Sequence, residues 1–553
     1  MAINIGFKHG IYTSELPTPL VALTQITTPT VAVGTAPIHL ASEPAAANTP
    51  VLCSTLAEFV KQFGWSNDFE NYTLCEVAKA HFTLYNVAPV IFINVLDPIK
   101  QAKTSTAEVT VTTASIKLSA PVIISSIKIE TDNDATVKTL IGITDEDSPI
   151  DIPSDVTGSF TLSAGETPLI LTTDYTIAEN KITLTASGKE KVDGSITFTL
   201  NDATKITVTS GADYTAAYDT DGNTVITFTT AGTAKIVDDK VAITYREIDP
   251  SAVTSSTVVG GVDLMTGDNT GLECIDDIYP KLGVVPGTII APKFSASSDV
   301  AAVMAAKANG INGTFKAIAI ADLPTATATR YTDVPNVKSG SNFANSFLVA
   351  TWPKVALSGE QYHLSTQLAA LMCVVDAARD NVPFKSPSNE NLQCDSAVLA
   401  SGKEVYLGKD LANYVNGQGV VTALNFGGWR SWGNHMSAYP TDTDPINFIA
   451  VRRMMNWICN TLVLNFFSRI DSPMNRVLVD AVLDSVQLWL NGLTKSGAIL
   501  GGEIAFLEDD NPQTELSAGN MLFRISVGFA TPAKQITFTV QFNPDYFSSL
   551  FAS

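Results

Sequence analysis

Residues 101–250 differ so sharply in composition from the rest of the chain that they predict a separate domain. They contain 30 threonines and no cysteine, tryptophan, methionine or histidine. Short β-branched runs, such as 181–185 (KITLT) and 195–200 (SITFTL), alternate with Gly, Asp and Asn turns. This pattern favours an all-β, sandwich-like domain inserted into the chain.

The inserted stretch also contains an apparent duplication. An Asp-Tyr-Thr tripeptide at 174–176 leads into two predicted strands, and the same tripeptide at 213–215 does so again 39 residues later. Self-similarity of this kind indicates a repeated structural unit. We therefore predict two β halves, or two small sandwiches, in one outward-facing block.

On both sides of the insert, predicted strands alternate with predicted helices. Apolar runs at 90–95 and 284–292 predict buried strands, whereas 299–308 and 361–379 predict helices. Such alternation implies a layered α/β core with a largely parallel sheet. The predicted fold is multidomain, α/β and α+β: an N-terminal extended arm (1–20), the first part of the α/β core (21–100), the inserted β domain (101–250), a central α/β domain (251–440) and an α+β C-terminal domain (441–553).

The C-terminal domain begins with two predicted helices. Asp444 followed by proline predicts the start of the first, which runs to about residue 469. Ser472 followed by proline predicts the start of the second, which ends near Gly497. Proline is favoured at the first helical position because an N–H at that position would have no partner within the helix, so its absence costs nothing.

Both ends of the chain alternate between apolar and polar residues. The cleaner alternation is at 535–542 (QITFTVQF), and the N-terminal one starts at Ile3 and is cut off by Pro17 and Pro19. Alternation predicts strands with one apolar face. An unpaired strand is a hazard in a monomer but suits a polymer, where it can add to a neighbour's sheet.

The charge of the chain excludes several classes of partner. The net charge is −21 and there is no basic stripe, so we expect no nucleic-acid partner. The longest apolar segment, 454–467, is too short and too polar to span a bilayer, and the first residues lack a signal peptide's apolar stretch. We therefore expect a protein made in the cytosol, with no membrane partner.

No motif in the sequence predicts catalysis. There is no P-loop, HExxH or GxSxG, and the five histidines are far apart. Six scattered cysteines without a CxxC predict free thiols rather than a zinc site. The segment 219–223 (DTDGN) resembles a calcium loop but is better interpreted as a hairpin turn, and the acidic run 508–510 as a solvated turn. We expect no enzyme activity, no catalytic residue, no cofactor and no metal.

A set of short motifs in the last 110 or so residues occurs in a characteristic order. They are 447–453 (NFIAVRR), 456–458 (NWI), 472–476 (SPMNR), 489–493 (WLNGL), 508–512 (EDDNP) and 542–546 (FNPDY). Together they closely resemble the C-terminal domain of contractile phage tail sheath proteins, including the sheaths of phage-derived contractile bacteriocins. Weaker matches upstream extend the resemblance to nearly everything except 101–250.

The resemblance implies a structural subunit. Such subunits polymerise as stacked hexameric rings around an inner tube and contract to drive it through the target cell envelope. The implied partners are other copies of the chain, the inner tail tube protein, and the baseplate and tail terminator proteins. The implied location is the tail of a virion assembled in the bacterial host cytoplasm.

The resemblance also implies roles for particular residues. Strands of both chain ends would join a neighbour's C-terminal domain, and the inter-subunit arm residues are Ile3, Ile5, Phe7, Ile11, Tyr12, Ile536, Phe538, Val540 and Phe542. The candidate tube-facing residues are Arg452, Arg453, Arg469 and Arg476. The alternative for these arginines is pairing within the domain, with Asp471, Asp480 or Asp484.

Two alternative functions remain open on the sequence. The chain could be the sheath of a bacteriocin or another contractile injection system. From a different class, threonine-rich duplicated β domains also occur in surface adhesins and surface-layer proteins.

Overall fold

The computed structural model describes residues 27–111, 113–118, 122–131, 137–153, 160–200, 206–219, 222–236 and 240–550. The chain divides into two compact units. The first unit combines the residues up to Asp97 with those from Pro250 onward, and the second is Pro98–Asp249. The bounds of the second unit lie within three residues of the composition break at 101–250.

The first unit begins with three strands and two helices. They are β1 (Thr30–Gly34), β2 (Pro50–Cys53), α1 (Leu56–Phe63), α2 (Thr73–Ala78) and β3 (Val90–Asn94). A π-helix over Lys79–Leu84 continues α2.

The second unit is almost entirely β. Its elements are β4 (Ala102–Thr110), β5 (Ser115–Leu118), β6 (Lys128–Thr131), β7 (Val137–Ile143), β8 (Ile150–Asp151), β9 (Phe160–Ala164), β10 (Thr167–Leu169), β11 (Tyr175–Ala178), β12 (Lys181–Leu184), α3 (Ala186–Lys191), β13 (Gly194–Leu200), β14 (Ile206–Val208), β15 (Tyr214–Tyr218), β16 (Thr224–Phe228), α4 (Thr230–Thr233) and β17 (Lys240–Ile248).

The first unit then resumes with mixed α/β structure. Its strands are β18 (Gly261–Val262), β19 (Asn269–Thr270), β20 (Thr288–Ile290), β21 (Ile318–Asp322), β22 (Leu348–Thr351), β23 (Lys354–Leu357), β24 (Glu360–Tyr362), β25 (Ser396–Val398), β26 (Val420–Asn425), β27 (Trp429–Trp432), β28 (Ile499–Ala505) and β29 (Arg524–Phe529). Its helices are α5 (Ser255–Val259), α6 (Ile278–Leu282), α7 (Ser298–Asn309), α8 (Val334–Gly340), α9 (Leu364–Ala377), α10 (Lys409–Asn416), α11 (Ile449–Phe466), α12 (Arg476–Lys495) and α13 (Gln513–Ser517).

An eight-stranded sheet forms the core of the first unit. Its order is β2-β3-β1-β20-β21-β22-β26-β27. The six inner strands are parallel, and β2 and β27 are antiparallel edges. Strands β1, β3, β20, β21 and β22 are buried along their whole length, as expected when helices cover both faces of a parallel sheet. The predicted layered α/β core with a largely parallel sheet is confirmed.

The second unit contains two hydrophobic cores, each made by a four-stranded and a three-stranded antiparallel sheet. One core combines β14-β6-β17-β4 with β15-β16-β5, and the other combines β10-β9-β13-β7 with β11-β12-β8. All strands of the second core come between β6 and β14 in the sequence. One small β domain is therefore inserted into another.

The two Asp-Tyr-Thr tripeptides take part in the same local structure. Asp174 is buried, and its Oδ2 accepts hydrogen bonds from the Ile170 amide at 2.8 Å and Lys191 Nζ at 2.7 Å. Oδ2 of Asp213 accepts from the amide four residues before it, at 2.7 Å, and from Lys235 Nζ, at 2.7 Å. The Lys191 hydrogen bond, with help from the Ile170 amide, lowers the pKa of Asp174 to about 2. The similarity noticed in the tripeptides thus extends to an ion pair between a buried aspartate and a partly exposed lysine.

A short helix packs against each aspartate, and its spacing repeats as well. The Thr185 hydroxyl caps α3 by accepting from the Gly188 amide, and a threonine–glycine pair caps α4 in the same way. A Cβ added to Gly188 would lie 1.8 Å from the carbonyl oxygen of Asp174, and one on Gly232 would lie 2.0 Å from that of Asp213. The pattern T-x-x-G-x-x-K therefore marks both halves, with glycine required by close backbone approach.

Of the two helix starts predicted in the C-terminal part, the one at Asp444 is confirmed and the one at Ser472 is wrong. The Asp444 side chain accepts from the Ile446 amide and begins a 3-10 turn that leads into α11, as its Asp-Pro pair predicted. The predicted start of the next helix at Ser472 is wrong. Helix α12 begins at Arg476, because Asn475 has the extended backbone of a cap and its side chain accepts from the Leu478 amide.

Candidate assembly interface

The C-terminal part of the first unit ends in a two-stranded sheet with open edges. Strands β28 and β29 pair antiparallel, and no other described strand pairs with either of them. One face packs on α12, where the Gln487 amide nitrogen donates to the Gly502 carbonyl at 3.0 Å and its oxygen accepts from the Ile504 amide at 3.2 Å. Leu490 and Ile499 are buried beneath this face. The Gln487 side chain thus occupies two main-chain groups of β28, whereas no described strand pairs with the outer edge of β29, which can accept a strand.

The segment predicted to be the last strand has no partner among the described residues of its own chain. Residues 535–542 form neither strand nor helix. The side chains of Ile536, Phe538, Val540 and Phe542 are 71%, 86%, 93% and 76% exposed. The predicted strand is therefore absent from the single chain, since the ladder that would define it is missing. Four large apolar side chains in one short segment remain uncovered.

The N-terminal arm cannot be compared in the same way. Ile3, Ile5, Phe7, Ile11 and Tyr12 lie outside the described residues. Their role as inter-subunit strands stays a prediction.

Two of the four candidate tube-facing arginines are buried within the chain. Arg453 on α11 forms a bidentate ion pair with Asp376 on α9, with 3.1 Å between Nη1 and Oδ1 and a second contact between Nη2 and Oδ2. The guanidinium of Arg452 lies 4.5 Å from the centre of the Phe347 ring. The two arginine side chains are 6% and 9% exposed, so both are occupied by contacts inside the unit.

The other two arginines lie at the exposed end of the α11–α12 hairpin. Arg469 is in a 3-10 turn, and Arg476 pairs with Asp480 one helical turn away, at 2.8 Å between Nε and Oδ1. Pairing within the domain thus occurs at one of the three aspartates considered. The same hairpin end exposes Phe467 by 70% and Val477 by 76%. Sequence reasoning missed this apolar end, although the two residues flank the proline-containing loop.

The candidate metal-binding segments are accounted for by local bonds. The carboxylate of Asp219 accepts from the Asn223 amide at 2.9 Å, as in a hairpin turn, and lies 2.7 Å from Lys117 Nζ. In the acidic run, Asp510 pairs with Arg524 at 2.6 Å. Within the described ranges there is no group of three or more His, Cys, Asp and Glu residues suited to a metal ion. No helix in the same ranges has the length and apolar character needed to cross a membrane.

Known proteins similar to this chain are tail sheath proteins. No family model matches the chain. The tail sheath protein of Burkholderia phage BcepMu is 29% identical over 369 residues, which cover 63% of this chain and 74% of that protein. A putative prophage major tail sheath protein of Pseudomonas aeruginosa (strain UCBPP-PA14) is 24% identical over 311 residues, covering 54% of this chain and 76% of that protein. These relatives confirm the resemblance of the chain to contractile tail sheath proteins.

A similarity in fold to a solved sheath covers nearly all of the chain. The sheath of the anti-feeding prophage, solved as a helical sheath in the contracted state, matches with a TM-score of 0.50 at 11% identity, covering 98% of this chain and 100% of that one. The similarity to tail sheath proteins favours a sheath subunit over the adhesin alternative. It gives the open sheet edges and the uncovered C-terminal segment the context of a sheath subunit.

Proposed function

We propose that the chain is the subunit of a contractile sheath that polymerises as stacked hexameric rings around an inner tube and contracts to drive it through a cell envelope. Two observations carry the proposal: the open-edged sheet β28–β29, and a C-terminal segment of strand pattern that has no strand partner among the described residues of its own chain. Its partners are other copies of the chain, the inner tail tube protein, the baseplate and the tail terminator.

The energetics favour exchange of strands between copies. Burial of one large apolar side chain stabilises by about 1.5–3 kcal/mol. Four such side chains between Ile536 and Phe542 would be covered when a neighbour's sheet takes up the segment, and the main chain would gain ladder hydrogen bonds. A contact that joins the donor segment of one copy to the acceptor sheet of the next is heterologous, so repeating it from copy to copy builds a ring or a helical filament.

Negative-stain microscopy of the purified protein tests the proposal. We expect tubes with helical striations after concentration, because strand donation needs only a second copy. The control is a chain with Phe538→Asp and Val540→Asp, which should remain folded but stay unassembled. Persistent monomers of the unaltered chain, with or without an added inner tube protein, would reject the function.

The tube-facing element of this proposal is the end of the α11–α12 hairpin. Its support is the exposure there of Arg469 and Arg476 together with Phe467 and Val477. We expect Arg469→Glu combined with Arg476→Glu to weaken association with the inner tube, and the loss to be larger at low salt because exposed charges are screened. The matched control is Arg330→Glu, an exposed arginine on another part of the unit. If both variants cosediment equally with the inner tube at every salt concentration, the proposed tube contact is rejected. The pairing with Asp480 is then the only role left for Arg476.

The inserted unit is proposed to face outward and to be dispensable for assembly. Its two cores are internal to residues 98–249, so it needs few contacts with the rest of the chain to fold. We expect replacement of 98–249 by a short Gly/Ser linker to leave tube formation intact in electron micrographs. Loss of assembly-competent protein in the deletion variant would contradict the prediction.

A further inference from the structure

The side chain of Gln487 on α12 occupies a place at β28 that a neighbouring strand would otherwise take. Its Nε2 donates to the Gly502 carbonyl at 3.0 Å, and its Oε1 accepts from the Ile504 amide at 3.2 Å. Because Gly502 and Ile504 are two residues apart in a strand, these two groups point to the same edge of β28. One residue of a parallel neighbouring strand would make the same two hydrogen bonds. The glutamine amide thus substitutes for a strand at this edge.

The amide of Gln487 is held in one orientation by its other contacts. Nε2 also donates to Oδ1 of Asn491, one helical turn further along α12, at 3.1 Å. The nitrogen and the oxygen of the amide therefore both have partners that suit them. Gly502 lets the helix approach the strand closely, since a Cβ at this position would lie 3.2 Å from Cδ2 of Leu490. A strand that entered at this edge of β28 would first have to displace the amide from its hydrogen bonds.

The edge of β28 that Gln487 closes is the one that faces away from β29. An N–H group makes one strong hydrogen bond, so the Ile504 amide that donates to Gln487 does not pair with β29. In an antiparallel pair, alternate residues point toward the partner strand, and Gly502 and Ile504 therefore belong to the outward set. Outside the pairing with β28, the main chain of residues 525–527 in β29 makes no hydrogen bond to another described residue. The outer edge of β29 is thus the edge that remains free.

The apolar layer beneath β29 is unfinished on its outer side. Three apolar residues of β29 pack against the cluster formed by α11, α12 and β28 but stay only partly buried: Ile525, Val527 and Phe529. The alternate residues are exposed on the opposite face: Arg524, Ser526 and Gly528. Residues 535–542 show the same division, because their apolar residues alternate with Gln and Thr. A strand of this sequence beside β29 would cover the apolar layer and leave its polar side chains in water.

We propose that Gln487 determines which edge of the sheet takes part in assembly: it closes β28, so that residues 535–542 of a second copy enter at the outer edge of β29. The inference rests on the proposed function of the chain as a polymeric sheath subunit, and it adds the receiving edge and the residue that selects it. With one edge closed, every sheet receives this segment on the same side. Donor and acceptor copies are then related in one way throughout the polymer, as a regular assembly requires.

Photo-crosslinking from the exposed face of the sheet tests the choice of edge. Glu503 and Ser526 lie opposite each other in the β28–β29 ladder and are both exposed, so they form a matched pair. A strand at the outer edge of β29 lies about 4.8 Å from β29 and about twice that distance from β28. A photoreactive amino acid at position 526 should therefore give adducts with 535–542 of a second chain in assembled tubes, and one at position 503 should give few.

Three crosslinking results would overturn the inference: adducts mainly from position 503, adducts only within one chain, or no adduct with 535–542 in intact tubes. Absence of tubes from the unaltered chain would instead reject the proposed function.

Substitution of the glutamine tests its selecting role. Gln487→Leu removes both hydrogen bonds to β28, and Gln513→Leu, at an exposed glutamine of α13, is the control. In the Gln487→Leu chain, adducts with 535–542 should appear from position 503 as well as from position 526, whereas the control should keep the pattern of the unaltered protein. A purely structural role of Gln487 would lower the melting temperature without moving adducts from one strand to the other.

An unchanged adduct pattern in Gln487→Leu would overturn the selecting role. If that chain does not fold, Gln487→Glu replaces it in the same comparison, because the carboxylate still accepts from the Ile504 amide but cannot donate to the Gly502 carbonyl.

Discussion

A chain that lacks residues 1–15 is expected to fold with a near-normal melting temperature and to form no long tubes. The first described strand, β1, begins at Thr30, and the described core residues of both units all lie beyond residue 30. Ile3, Ile5 and Phe7 would form the apolar face of a strand added to a neighbour, so their loss removes a contact between copies. Melting by calorimetry and tube counts in micrographs measure the two effects.

Substitutions on the two faces of the same arm provide the control. Ile5→Asp with Phe7→Asp should abolish tubes, whereas Asn4→Asp with Lys8→Asp, on the opposite face of the predicted strand, should largely preserve them. If the truncated chain still made contractile sheaths, the arm would have no structural role. If it failed to fold, the arm would belong to the core of its own subunit.

Replacement of Arg453 by glutamine is expected to lower the free energy of unfolding of the first unit by about 3–5 kcal/mol. The reason is that Asp376 would be left buried and without its bidentate partner. Denaturant titration followed by tryptophan fluorescence measures the loss. The double variant Arg453→Met with Asp376→Leu should recover most of it, because it removes both buried charges.

The exposed ion pair of Arg476 is the matched control for this prediction. Arg476→Gln breaks an i,i+4 pair on the surface of α12, and such pairs contribute only about 0.3–0.5 kcal/mol. A stability loss that is as small for Arg453→Gln, together with loss of tube binding, would mean that Arg453 acts at the tube rather than inside its unit.

Local sequence was sufficient for the features that depend on nearby residues. The break in composition at 101–250 lies within three residues of the bounds of the second unit. The reason is that a separately packed β core needs a different set of side chains from an α/β core. The Asp-Pro pair at 444–445 located a helix start, because a cap acts within one turn. The order of the motifs in the last 110 or so residues was sufficient to predict the resemblance to contractile tail sheath proteins.

Tertiary structure alone decided the features that join distant parts of the chain. Arg453 pairs with Asp376, 77 residues away, so the arginine that looked available for a partner is buried. Strand β20 pairs with β1 across the whole inserted unit, a neighbour that no periodicity indicates. At 535–542 the sequence determined the alternation but not a strand, since a strand exists only where another chain segment completes its ladder. The local sequence therefore limits the conformations that each segment can adopt. The distant segment that supplies the missing hydrogen bonds or the opposite charge determines which of those conformations forms.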